Sequence, residues 1–522
     1  MDNSSPPQEE QIKSDPPAET KPSFGQRVKR WLWQKPDQHQ NAWKLITNLT
    51  PAQRLTFTAA FLGWTLDALD YFSVSLTATA IAKDFGVQVS DVTSAITTTL
   101  MLRPIGALIF GAAADRWGRR WPLIIDIVLF SIINLASGFA PNLPTFIGLR
   151  AVFGICMGGE WGLGASLALE ALPVEARGIF SGILQEGYAA GYLLATLLNY
   201  GIVAQGGKSW RALFWTGAGI GLLAVFIRVF VPESETFQKT AEARKASGVT
   251  YWQEVKTVLR TKYLRLIYMV VLMSFFNFMS HGSQDLYPSF LTKQLGYTAE
   301  QQTVTSVIYN IGAIMGGTIV GYFSQYFGRK RSIIVCAIVG GAIIPLWVFA
   351  PNIASLQFGA WLMQFCVQGA WGVIPAHLTE LSPPAFRGIM PGLSYQLGNL
   401  VSAASAQIEA TIGEHYPVRN ADGTLKHDAT GATIPDYGLT QAIFMGCVFA
   451  GVIITTAVGM EERGKDFNAH LVTNPTTGEA IGEEDINAGR EEDGQEEAAH
   501  KERTSDVSYT DDDKRVEQIE VK

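Results

Sequence analysis

The chain has 522 residues, 48% hydrophobic and only 17% charged, with 51 Gly and a formal net charge of −7. Its apolar residues gather in blocks of about 20, the length that crosses about 30 Å of hydrocarbon, which excludes a soluble multidomain protein. The four cysteines (Cys156, Cys336, Cys366, Cys447) all lie inside those blocks, so neither a disulfide framework nor a metal site is predicted, and nothing calls for a cofactor or a nucleic-acid partner.

Residues 1–22 are rich in Pro, Glu, Ser and Lys and read as disordered. In 24–46, Arg27, Lys29, Arg30 and Lys35 alternate with Phe24, Trp31, Trp33 and Trp43, which suits a lipid surface as well as a solvated tail. Residues 1–50 are expected to form a disordered, basic N-terminal segment, and they lack the h-region of a cleavable signal peptide. Twelve apolar blocks follow, near 55–80, 91–113, 122–140, 145–169, 178–200, 210–231, 264–288, 302–323, 332–350, 355–378, 388–412 and 438–460. They predict an all-α membrane protein with six-helix bundles over 51–231 and 264–460, a cytosolic central loop over 232–263, and an acidic, disordered tail over 461–522. The tail holds 19 Asp/Glu and 8 Lys/Arg, a net −11, which leaves +4 for residues 1–460.

Orientation follows from Lys and Arg in short loops. Arg116, Arg119 and Arg120 follow the second block, and Arg329, Lys330 and Arg331 follow the eighth. Residues 232–263 add Lys239, Arg244, Lys245, Lys256, Arg260 and Lys262. With twelve spans all three clusters share one side, which is then cytoplasmic, with both termini in the cytosol.

An internal repeat organises the blocks. At an offset of 210, Gly106 meets Gly316, Gly118-Arg119-Arg120 meets Gly328-Arg329-Lys330, and Trp161-Gly162 meets Trp371-Gly372. Glu170, Pro173, Arg177 and Gly178 meet Glu380, Pro383, Arg387 and Gly388 at the same offset. Two six-helix pseudo-repeats in parallel place a substrate site at the midplane between them.

The polar residues inside the blocks are the candidates for chemistry. On the seventh block Asn277, Ser280, His281, Gln284 and Asp285 share one helical face. Such a stripe either lines a polar path or closes as a seam on a neighbouring helix. His281 is the side chain most easily titrated near neutral pH, and Asp285 one turn on can orient or charge it. Arg103 sits mid-block, where its planar fork matches a carboxylate; the alternative is a permanent pair with Asp67 or Asp70 on the first block. Asp67 and Asp70 could instead carry a proton, since a buried carboxylate can hold one near neutral pH. Gln185, Tyr188, Gln396 and Asn399 offer donors at similar depth, for substrate or for inter-helix bonds. Glu160 is a mid-block carboxylate with no partner evident from the sequence. Gly207-Lys208-Ser209 resembles the end of a phosphate loop, but Ile202 stands where that loop needs Gly, so no ATPase is implied.

Gly111-x-x-x-Asp115-Arg116-x-Gly118-Arg119-Arg120 resembles the loop motif of the major facilitator superfamily, and its copy keeps Gly328-Arg329-Lys330 with Gln325 in place of Asp115. The resemblance spans roughly residues 50–460. Asn277-x-x-Ser280-His281-x-Ser283-Gln284-Asp285 is similar to the seventh-helix signature of fungal Jen-type carboxylate:proton symporters of the sialate:proton symporter group, with Ser289 where that pattern ends in Thr.

The resemblance implies a twelve-helix plasma-membrane carrier in lipid, without enzymatic activity, that imports short carboxylates with protons: lactate, pyruvate, acetate, or dicarboxylates such as succinate and malate. Substrate would meet Arg103, Asn277, His281, Gln284, Gln396, Asn399 and Tyr188. Protons would be carried by His281, Asp285, Asp67 or Asp70. It also implies gate residues at the cytoplasmic helix ends: Asp115, Arg116, Arg119, Glu170, Arg177, Arg329, Glu380 and Arg387. Larger organic or sugar acids, or a nutrient receptor that does not translocate, are the alternatives. Regulatory or ubiquitination machinery would act on the tails, where Lys501, Lys514 and Lys522 offer acceptors. Since the tail cannot bury a core, a truncation after Lys465 is expected to keep uptake while slowing turnover. Loss of uptake in a truncated protein that still reaches the surface would contradict this.

Overall fold

In the computed structural model, residues 41–464 are described apart from 88, 249, 384–385, 421, 428–430 and 432, together with 472–473 and 480–481. The basic, Trp-bearing stretch up to residue 40 and nearly all of the tail lie outside the described residues.

Twelve helical spans make up the two halves. The first half contains α1 (Pro51–Phe85), α2 (Val89–Trp117), α3 (Arg120–Ser137), α4 (Leu143–Glu170), α5 (Arg177–Gln185, continued as Gly187–Leu198) and α6 (Arg211–Val229). The second contains α7 (Tyr263–Gln284), α8 (Ala299–Phe327), α9 (Arg329–Ala342, then Ile344–Val348), α10 (Ile353–Trp371, then Ile374–Leu381), α11 (Ile389–Ser402, then Ser405–His415) and α12 (Tyr437–Val458). Among the described residues, seven helical segments are individually long and apolar enough to cross a membrane. Of the other spans, α1 carries Asp67 and Asp70 and the remaining four are broken. The breaks in α9 and α10 fall just before Pro345 and Pro375, whose rings cannot take a place in the hydrogen-bond ladder.

Local signals set several boundaries. Thr50 and Gln53 form a reciprocal capping box ahead of Pro51 at the start of α1. Asn142 and Asn352, equivalent in the repeat, cap α4 and α10 by accepting from Thr145 N at 3.0 Å and Ser355 N at 2.9 Å. The expectation of a central loop is corrected: 232–263 contains two helices, Glu235–Ser247 and Tyr251–Thr261. Their caps, Ser234 and the Thr250–Gln253 box, were readable but masked by the weight of charge. The all-α expectation holds for the bundle; beyond it, Val472–Thr473 pairs antiparallel with Ala480–Ile481. The connection before α12 is tied by bridges between Pro417 and Pro435, Arg419 and Leu425, and His427 and Thr433.

Glycines bring helices to backbone contact. A Cβ on Gly106 of α2 would lie 1.7 Å from Ile155 O of α4, and one on Gly316 of α8 would lie 2.1 Å from Phe365 O of α10. These contacts are related by the same offset of 210, so the repeat is a packing rule, close approach through small residues, applied twice. Large apolar residues such as Leu108, Ile125, Phe226, Ile267, Val335 and Ile454 are exposed, which suits a flank solvated by lipid.

Gly106→Ala and Gly316→Ala should each lower the thermal midpoint of the purified protein by several degrees, because α4 or α10 must back away. Gly148→Ala, where a Cβ meets nothing within 4 Å, should be neutral or stabilising. Equal midpoints for all three would refute the packing argument.

Candidate functional site

The two halves meet around a pocket whose free volume is about 30 Å³, room for about two waters. Arg103 and Leu100 of α2 face Asn277, Ser280 and His281 of α7 across it. Gln185 and Tyr188 of α5 and Tyr395 and Asn399 of α11 close the sides, with Trp64, Tyr71 and Trp371 as aromatic walls. Tyr71, Gln185, Tyr188, His281 and Gln368 also border a cavity of about 550 Å³, which reaches Tyr192, Gln284, Asp285 and Tyr309, away from the end that bears the termini.

Arg103 is placed by close packing. A Cβ on Gly158 of α4 would lie 1.9 Å from Arg103 O, so only glycine lets α4 pass at this level. The guanidinium is 3% exposed and lies 5.8 Å from the Tyr395 ring centroid. Its Nη2 is 3.6 Å from Asp67 Oδ2, an ion pair too long for a hydrogen bond, and no described residue bonds Nε or Nη2. Asp67 is fully buried and is the closer of the two sequence candidates. Asp70 instead accepts from Asn134 Nδ2 at 2.8 Å, and Arg150 donates to Asn134 Oδ1 at 3.0 Å and Ser137 Oγ at 2.8 Å. Asp70 therefore belongs to an Arg150 network. Sequence reasoning passed over Arg150, which sits at the start of an apolar block like a loop charge.

On α7 the polar stripe meets α11. His281 Nδ1 lies 2.9 Å from Asp285 Oδ2 and Nε2 lies 3.3 Å from Asn399 Oδ1. Asn399 Nδ2 donates to Gln396 Oε1 at 3.2 Å, and Gln396 reaches Gly158 O of α4 at 3.5 Å. With Nδ1 donating to Asp285, Nε2 donates to Asn399 as an imidazolium; a neutral ring accepts only if the two amides turn over, which gives up the Gln396 bond to Gly158 O. Proton occupancy is thereby tied to the amide orientation. Asn277 spends its amide hydrogens on Met273 O at 2.8 Å and Tyr395 O at 3.4 Å. Gln284 donates to Gln364 Oε1 at 2.9 Å and faces the larger cavity. Tyr188 stacks on Trp64 at 5.7 Å, and Gln185 accepts from Trp161 Nε1 at 3.2 Å. Tyr71, Gln368, Trp371 and Tyr395 were missed; of these, the Trp161/Trp371 repeat pair was the available signal.

Charges at the terminal-bearing end repeat with the halves. Arg119 Nη2 lies 3.1 Å from Asp115 and 3.2 Å from Glu170; Arg329 grips Glu380 with Nε at 3.0 Å and Nη2 at 2.9 Å. The change from Asp115 to Gln325 between the motifs has a structural reason. Asp115 caps the start of α11 across the interface, accepting from Gly388 N at 2.9 Å and Ile389 N at 3.0 Å. Gln325 meets the α5 side, where its Nε2 donates to Val174 O at 3.0 Å and its Oε1 accepts from Arg329 at 2.8 Å. A carboxylate could not donate there. Arg177 and Arg387 are buried beside these pairs, whereas Arg116 is exposed over Trp117.

Comparison with known proteins agrees with this architecture. The model described as Major Facilitator Superfamily matches residues 55–284, and the one described as Sugar (and other) transporter matches 297–420. A carboxylic acid transporter protein homolog of Saccharomyces cerevisiae is 34% identical over 459 residues, covering 83% of this chain and 73% of that protein. The sialic acid transporter NanX of Escherichia coli is 26% identical, covering 81% and 97%. The crystallised proton:xylose symporter XylE shares the fold at a TM-score of 0.61 and 19% identity, over 80% of this chain and 97% of that one. Two six-helix halves, a repeated charge motif and a 34% identical relative lead to one conclusion: the chain belongs to the major facilitator superfamily and is a membrane transporter rather than an enzyme.

Proposed function

We propose that this transporter is a proton-coupled symporter of short carboxylates, working by alternating access in a plasma membrane with both termini cytosolic. The observation that carries the reading is Arg103: a guanidinium 3% exposed in the central pocket, whose Nε and Nη2 meet no hydrogen-bond acceptor among the described residues and whose ion pair with Asp67 is 3.6 Å long. An incoming carboxylate would supply the missing hydrogen bonds in bidentate form. The small free volume favours a compact acid, and the adjoining cavity could take the remainder of a dicarboxylate. The name of the yeast relative supports carboxylic acids, and that of NanX keeps a sugar acid as the second reading.

His281 and Asp285 supply the coupling. A neutral imidazole leaves Asp285 as an anion facing a second anion, the substrate. Protonation of His281 offsets one of the two charges, so proton and carboxylate bind with positive, reciprocal coupling. In the proposed cycle the repeated charge pairs and the Asp115 cap on α11 hold the cytosolic side shut, and inward opening must break them.

Arg103→Lys should raise the apparent KM about tenfold or more, because one directional bond to a charged acceptor is worth about that factor. Uptake of labelled acids by surface-localised protein measures it, and near-normal affinity would remove Arg103 from the substrate site. For wild type, apparent affinity should rise as pH falls through the range in which His281 gains its proton. His281→Gln should flatten that dependence, and Asn277→Ala should weaken binding while leaving it intact. A wild-type profile in His281→Gln would move the proton to Asp67 or Asp70. Counterflow in proteoliposomes separates a carrier from a receptor, which exchanges nothing.

A further inference from the structure

The cycle above leaves three buried charges of the first half unused. Asp126 of α3, Glu160 of α4 and Arg228 of α6 are 0%, 0% and 1% exposed. No described residue hydrogen-bonds either carboxylate or any Arg228 side-chain nitrogen. Glu160 and Asp126 are the charges that act on Arg228, although among the described residues neither approaches it closely enough to form an ion pair. Glu160 is seated by glycine: a Cβ on Gly63 of α1 would lie 2.2 Å from its Oε1.

A charge count over the surrounding helices does not close. α1 presents Asp67 and Asp70, α2 Arg103, α3 Asp126, α4 Arg150 and Glu160, and α6 Arg228. α5 turns Glu186 toward Gly317 of α8 instead. The cluster thus has four carboxylates and three guanidiniums, all at most 3% exposed. Asp67 is matched by Arg103, and Asp70 by Arg150 through Asn134, so the excess lies on Glu160 and Asp126. A net charge sealed from water in an apolar bundle is removed by taking up a proton.

We propose that Glu160 and Asp126 hold one proton between them around Arg228, a second proton site in the first half, separate from His281 and Asp285. Arg103 also acts on Glu160. A carboxylate docking on Arg103 would draw that compensation away and favour a further proton in the cluster. This link to transport rests on the symport reading; the shared proton does not.

The test is infrared spectroscopy of the purified full-length protein, read at the carbonyl band of protonated carboxyl groups near neutral pH. Glu160→Gln, Asp126→Asn, the double variant and His281→Gln are compared with wild type. One carboxyl equivalent of band should disappear in either single variant, because the remaining carboxylate then ionises against Arg228, and persist in His281→Gln. Each single variant should keep a thermal midpoint near wild type, since a neutral amide replaces a shared neutral acid. The double variant, which strands Arg228, should melt markedly lower. An unchanged band in both single variants overturns the proposal. So does failure of both to fold, because that would mean both carboxylates are needed ionised. If the band behaves as expected while His281→Gln keeps its pH profile, the assignment of the coupling proton to His281 fails and the proton site of the first half stands.

Discussion

The Arg103 guanidinium is the constraint on which the centre of this transporter depends. A permanently charged group at 3% exposure requires negative charge nearby and leaves hydrogen-bonding capacity to be filled. Asp67 provides the charge at 3.6 Å but does not provide the bonds. The arrangement is therefore held together without being complete, a state suited to a ligand that arrives and leaves.

Around that centre, one packing scheme is used twice with a deliberate difference. Glycine contacts bring α2 onto α4 and α8 onto α10, and equivalent arginines close on equivalent glutamates at the terminal-bearing end. The symmetry breaks at Asp115 and Gln325. One meets the free N–H groups of a helix start and the other meets a carbonyl, so the residue types follow from the polarity of what each faces. The two halves are thus joined by unlike contacts, α2 to α11 and α8 to α5, although each half is built to the same plan.

The two halves bring different groups to the centre. The second half brings amides and one imidazole to the pocket, in a chain from Asp285 through His281 and Asn399 to Gln396. The first half buries carboxylates and guanidiniums, fixed charges whose balance depends on their number. The pocket thus lies between a hydrogen-bonded chain on one side and a buried charged cluster on the other.

Much of this was legible in the sequence. Apolar block length announced the spans, the 210-residue offset announced the two halves, and the stripe from Asn277 to Asp285 placed a polar face on α7. These are local or periodic properties, and period and block length survive folding unchanged. Partner choice was decided only in three dimensions. Asp67 and Asp70 lie three residues apart on α1 yet meet different arginines, because the offset of about 60° and about 4.5 Å between them is enough to reach different neighbouring helices. Asp126, Arg150 and Arg228 are single charges inside apolar blocks that no sequence pattern links, and Glu160 has no partner evident from the sequence. Only packing α1, α2, α3, α4 and α6 together brings them into one water-poor volume, where electroneutrality applies to the cluster rather than to each residue.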